Sequence, residues 1–130
     1  MSFIARLYIE KEEAINVLQC GFRFRQSLDV SGRPGTLPRG GIIRLVLESD
    51  DRTGLFEWMI SSINIKNGMV TFYRHDTMSR LKSLHFRGAH CVEYYETFDQ
   101  VSRYPMQIQL TLSAHSISLN GATYFNDWRM

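Results

Sequence analysis

Gln107-Ile108-Gln109-Leu110-Thr111-Leu112-Ser113-Ala114-His115 alternates polar and apolar residues without a break. Successive side chains of an extended chain point to opposite faces, so this stretch is a β-strand with one buried and one wet face. After Ala114 the apolar parity moves to Ile117 and Leu119. A one-residue flip of this kind marks a bulge or a strand that passes from one sheet to another. Working outward, the same period of two recurs. Leu18, Cys20, Phe22 and Phe24 oppose Gln19, Gly21, Arg23 and Arg25, and Ile43, Leu45 and Leu47 follow Gly40 and Gly41. Leu84, Phe86, His90, Val92 and Tyr94 share a parity against His85, Arg87, Cys91, Glu93 and Tyr95.

One segment has a different period. Leu55, Phe56, Met59, Ile60 and Ile63 fall on one stripe of a helix of about two to three turns. Asp51 or Thr53 is placed to cap it, with Glu57 favourable in its first turn. Asn67-Gly68 is a two-residue hairpin signal, after which Met69 to Arg74 returns as a strand. Between Ser31 and Gly41 no apolar period survives: Gly32, Gly35, Gly40, Gly41, Pro34 and Pro38 break it. A connection of this length without its own period is uncommon in a compact domain and is usually functional. Arg33 and Arg39 place two positive charges on it. The order is strand, strand, long loop, strand, short helix, strand, two long strands and a short tail. This predicts a mainly β fold, an antiparallel β-barrel or two-sheet sandwich with one short flanking α-helix. A sheet built from βαβ crossovers would need more helices.

The bulk numbers narrow the class. A chain of 130 residues makes one ordinary domain, and 44% hydrophobic residues is enough for a real core. The formal net charge of +2, with basic and acidic residues mixed along the chain, does not by itself point to nucleic acid or an anionic membrane. The expectation is a patchy surface rather than a single-sign field. Cys20 and Cys91 have no zinc-finger spacing, and their plainer reading is two thiols in strands of a reduced cytoplasmic protein. Met1-Ser2-Phe3-Ile4-Ala5-Arg6 meets a charge before any apolar signal-peptide segment can form, and no run approaches the length of a membrane span.

No catalytic constellation emerges. His75, His85, His90 and His115 have no metal-ligand spacing, and each reads as a surface or satisfied core histidine. Glu10, Glu12 and Glu13, and Asp50 and Asp51, sit at turns, where acids cap or solubilise. There is no GxSxG, no Walker-type phosphate loop and no GxGxxG. Arg39-Gly40-Gly41 is a weak anion-binding signal. Phe22 and Phe24 lie opposite the neighbouring arginines, which argues for burial rather than a base-stacking platform. The long loop, the strand edges and the aromatic tail Tyr124-Phe125-Asn126-Asp127-Trp128 all call for a partner, and identical copies would close such a system by rotation.

A set of short motifs, in order along nearly the whole chain, then carries a resemblance. They are Met1-Ser2-Phe3-Ile4-Ala5-Arg6-Leu7, Asn16-Val17-Leu18, Asp29 with Ser31-Gly32-Arg33-Pro34, and Arg39-Gly40-Gly41. Leu55-Phe56-Glu57-Trp58-Met59, Val70-Thr71-Phe72-Tyr73 and the ending Asn126-Asp127-Trp128 complete the set. The chain resembles the tube protein, Hcp or TssD, of the type VI secretion systems of Bacteroidota.

The resemblance implies a single Hcp-like β-barrel domain over residues 1–130, with an extended loop at about 29–41. It implies a structural subunit of an inner tube: homo-hexameric rings that stack into a hollow tube carrying effectors, inside a contractile sheath and behind a spike. Ser31, Gly32, Arg33, Pro34, Arg39 and Gly40 would then contact a neighbouring subunit or the next ring. It implies no catalytic residues, cofactor, metal, nucleic acid or membrane insertion. The protein would assemble in the cytoplasm and leave through the apparatus without a signal peptide. The rival readings are a specialised tube-like paralogue or effector adaptor of the same system, and a nucleic-acid-binding β-barrel, which would need a contiguous basic face.

Overall fold

Alternation buries one side of each strand, and the strands close on themselves to hide it. A computed structural model describes residues 2–126 and 128. Met1 and Asp127, which belong to the motifs above, lie outside the described residues. Eight strands and one helix follow in order: β1 (Phe3–Ile9), β2 (Ile15–Phe22), β3 (Ile42–Glu48), α1 (Gly54–Ile60), β4 (Lys66–Arg74), β5 (Arg80–Phe98), β6 (Met106–Ser113), β7 (Ser116–Leu119) and β8 (Ala122–Phe125). The sheet runs β4-β1-β2-β3-β6-β5-β7-β8, and β4 also pairs with β5. That last pairing closes six strands into an antiparallel barrel and leaves β7 and β8 as an extension. Leu7, Ile43, Leu47, Val70, Leu84, Phe86 and Leu112 are all fully buried inside it.

Ile108, Leu110, Leu112 and Ala114 are buried as the alternation requires, but Thr111 of the expected wet face is buried too, its hydroxyl donating to the Glu93 Oε1 at 3.0 Å. The parity flip at His115 is a corner. The chain stops pairing with β3 and the far half of β5, and β7 pairs instead with residues 84–87 of β5. The β7–β8 turn is Asn120-Gly121, with φ of 47° and 96°. Both residues sit in the left-handed region that a tight, strand-matched hairpin needs.

Three expectations are corrected. Asn67-Gly68 is not a turn but lies inside β4, where a bulge opposes Phe86 to Ala89. The Asn67 Oδ1 accepts the Gly88 N–H at 2.9 Å, and Gly68 packs so closely on the Tyr8 carbonyl and the Phe86 ring that no Cβ fits. In β5 the predicted inward face changes twice. Gly88, at φ 58°, turns Ala89 and Cys91 inward, and a bulge after Cys91 leaves Val92 half exposed and returns Tyr94 to the core side. In β2 a bulge at Leu18 puts Val17 and Cys20 on the inner side, and the strand ends at Phe22, short of Phe24.

The helix is one short segment, and its buried face differs from the predicted stripe. Trp58 is its buried residue, while Ile60 and Ile63 are exposed. Leu55 and Met59 support Trp58 against the core, and the Phe56 ring meets the Tyr94 ring edge-on at 5.7 Å. Thr53, not Asp51, holds the N-cap position. Its side chain does not cap a helix amide, and its hydroxyl is bonded instead to the Glu57 carboxylate at 3.0 Å. Among the described residues no helix is long and apolar enough to cross a membrane.

Candidate assembly surface

Beyond the last regular pair of β2 and β3, Phe22 with Ile43, the two chain segments stay together. The connection from 23 to 41 continues their direction as a narrow arm, longer than the loop expected from the sequence. Arg25 and Arg39 exchange backbone hydrogen bonds at 2.9 and 2.7 Å, and a second bridge joins Leu28 to Pro34. At the tip, one Asp29 carboxylate oxygen accepts the Ser31 N–H, the Ser31 hydroxyl and the Arg33 N–H, at 2.9, 2.7 and 3.1 Å. The Ser31 hydroxyl leads in holding this carboxyl below its ordinary range, and the Arg33 and Ser31 amides add to it. The arm therefore has structure without a core: Leu28, Val30 and Leu37 are all exposed.

The predicted contact residues sit along this arm. Ser31, Gly32, Arg33 and Pro34 are at its exposed tip, Arg39 is on its returning strand, and Gly40 is at its half-buried base. The backbone-anion reading of Arg39-Gly40-Gly41 does not hold for its first two amides. The Arg39 N–H is given to Arg25, and the Gly40 N–H is given to the Tyr124 hydroxyl at 3.3 Å.

The aromatic tail, expected to seek a partner, is largely used within the chain. Tyr124 donates onward to the Asn126 Oδ1 at 3.0 Å, and the Asn126 Nδ2 donates to the Ala114 carbonyl at 2.7 Å. The Tyr124 ring also meets the Phe24 ring edge-on at 4.9 Å. Phe24 lies flush against Gly40, where a side chain would collide with it. The end of the chain thus braces the base of the arm. Trp128 lies between His90 and His115, with ring centroids at 5.6 and 5.4 Å. Sequence reasoning missed this brace because its partners stand more than eighty residues apart, Gly40 and Tyr124 being 84 apart.

Electrostatics divide the β2–β3 ladder. Under the arm, Arg23, Arg25, Arg39 and Arg44 line a cleft of about 470 Å³. Among the described residues the only ion pair is Arg52–Asp50 at 2.7 Å, so none of these four guanidiniums has a carboxylate partner there. At the other end of the ladder stand Glu10, Glu12, Glu13, Glu48, Asp50 and Asp51, with Lys11 and Arg52 among them. Arg52 ties the two turns together there, donating to the Glu13 and Ala14 carbonyls at 2.8 and 3.2 Å as well as to Asp50. Its guanidinium holds the Asp50 carboxyl below the usual range. The patches expected from the mixed sequence fall, on this ladder, at its two ends, one basic and one acidic.

Among the described residues no group of His, Cys, Asp and Glu could hold a metal ion. Cys20 and Cys91 are free thiols, separated in the sheet by β3 and β6. Burial pushes both thiols up to about 11, which keeps them protonated and poorly nucleophilic at neutral pH.

A closed six-stranded barrel with a projecting, braced arm defines the class of this module. Comparison with known proteins gives the class its family. A model of the family described as hemolysin coregulated protein Hcp (TssD) matches residues 1–129. Hcp1 from Flavobacterium johnsoniae is 36% identical, with a TM-score of 0.89, over 95% of this chain and 99% of that one. The chain belongs to the Hcp (TssD) family, the tube proteins of type VI secretion systems, as its motifs implied. Hcp1 from Salmonella typhimurium shares the fold at 12% identity, with a TM-score of 0.72 over 95% of this chain and 92% of that one. A chain of the sheath-tube complex of an extracellular contractile injection system does so at 15% identity, with a TM-score of 0.56 over 90% and 88%. No curated protein sequence matches the chain.

Proposed function

We propose that this chain is a structural subunit of the inner tube of a type VI secretion system. Six copies close into a ring, and rings stack into a hollow tube that carries effectors. The observation that carries the reading is family membership over residues 1–129, together with the near-complete overlap with a Flavobacterium Hcp1. The projecting arm supports it, because exposed apolar residues held on a hydrogen-bonded frame are suited to a neighbouring copy. Ser31, Gly32, Arg33, Pro34, Arg39 and Gly40 are the contact residues of this reading. The sheath surrounds the tube and the spike caps it. The protein assembles in the cytoplasm and leaves through the apparatus. It catalyses no reaction of its own.

The test is release from a bacterium that carries the system. The tagged protein should reach the medium only while the sheath can contract. Release that is indifferent to the sheath, or no release from a firing apparatus, would overturn the reading. In the purified protein, Arg33→Ala with Pro34→Ala should shorten or abolish stacks while leaving the thermal midpoint nearly unchanged, since tip residues contribute little to the core. A large fall in that midpoint would contradict the assignment of these residues to contact.

A further inference from the structure

We propose that the basic cleft under the arm receives the acidic end of the β2–β3 ladder of a second copy of this chain, and that this contact stacks one ring on the next. The inference rests on the tube-subunit reading and supplies the partner for its arm.

The cleft brings together Arg23, Arg25, Arg39 and Arg44. The two bridge residues Arg25 and Arg39 face each other across the arm, so their side chains emerge together. Four guanidiniums without a carboxylate repel one another and invite an anion. Planar, forked donors of this kind match carboxylates in pairs.

The same chain carries the complement. Glu12, Glu48 and Asp50 line one small cavity at the far end of the ladder, together with Arg52. Arg52 is already spent on Asp50 and two carbonyls. Among the described residues, Glu12, Glu13, Glu48 and Asp51 are left without a cation in ion-pair contact. Glu48 accepts only from the Asn16 amide at 2.9 Å. The formal net charge of +2 conceals this separation.

Placement decides the geometry. β2 has 8 residues, which sets the turns at its two ends about 26 Å apart, while Arg44 and Glu48, the nearest members of the two groups, stand about 13 Å apart along β3. A contact that joins opposite ends of the same element is heterologous and repeats by translation, so it propagates instead of closing. The interaction that closes a ring must lie elsewhere on the barrel. Each exposed ion pair is weak and screened by salt. A ring presents several copies of the contact at once, which multiplies them into a stable junction.

Reversing the charges tests this. Arg23→Glu, Arg25→Glu and Arg39→Glu together give rings acidic at both ends, and Glu12→Arg, Glu13→Arg and Asp51→Arg together give rings basic at both ends. Electron microscopy and sedimentation of each purified variant should show intact rings and at least a tenfold loss of stacks. Mixing the two variants should restore stacks, because each end again meets its opposite. Stacks of the unaltered protein should shorten as sodium chloride rises. Arg25→Gln with Arg39→Gln, which adds no repulsion, should give an intermediate loss and guards against a folding defect. Intact rings whose stacking ignores the substitutions, or a mixture that fails to stack, would overturn the contact alone. So would salt-sensitive binding of polyglutamate in the cleft with stacking unchanged, since that assigns the cleft to another anion. Absence of rings from the unaltered protein at every salt concentration would overturn the contact and the tube-subunit reading together.

Discussion

At the scale of the residue, Asp29 shows how an arm without a core keeps its tip. Its carboxylate gathers three donors from Ser31 and Arg33. Those donors favour the charged form and lower its pKa. The contribution to tip order is therefore present above the ordinary Asp value and is lost as pH falls through the lowered one. The amide resonances of Ser31 and Arg33 should shift together in an acid titration, with a midpoint below about 3.9. A midpoint at or above that value would mean the tip is not held by this carboxylate. In the sequence Asp29 is legible only as part of a motif. Its role was hidden because a carboxylate two residues before a serine is common, and only the fold of the tip brings the three donors to one oxygen.

At the scale of the element, local pattern and tertiary demand part company. β3 and β6 were legible because both keep strict alternation in regular ladders. β5 was legible as a strand but not in its facing, since the turn at Gly88 and the bulge after Cys91 each reverse the parity. The helix was legible by its period, yet its anchor was not. Trp58 lies off the predicted stripe, fully buried, with its indole N–H donating to the Asn64 carbonyl at 3.2 Å. Trp58→Ala should cost about 3–5 kcal/mol by the usual penalty for emptying an aromatic site, seen as a lower denaturation midpoint. A loss below about 1 kcal/mol would show that α1 is not held by this side chain. The brace makes a separate prediction. Tyr124→Phe keeps the ring on Phe24 but removes the hydroxyl that receives Gly40 and donates to Asn126. Hydrogen exchange at the Arg25 and Arg39 amides should quicken in that variant, and more so in Tyr124→Ala, while amides of β3 and β6 stay protected. Unchanged exchange at the arm would remove the brace from the account.

At the scale of the whole molecule, the barrel carries the stability and its periphery carries the function. The mainly β class, the single helix and the exposed loop were all readable before any coordinates, because burial periodicity and breaker residues are local signals. The division of charge along the ladder was not, because Arg23, Arg25, Arg39 and Arg44 are scattered among neutral residues in the chain and meet only when β2 and β3 pair. The same holds for the acids of the β1–β2 turn and the turn after β3, which Arg52 draws together.

The central claim is that this chain is a ring-forming tube subunit, and light scattering on the purified protein after gel filtration tests it most directly. Copies of 15.2 kDa in a closed ring of six would give a species of about 91 kDa, with annular particles in the same fraction. A stable monomer at high concentration, with no annular particles, would contradict it.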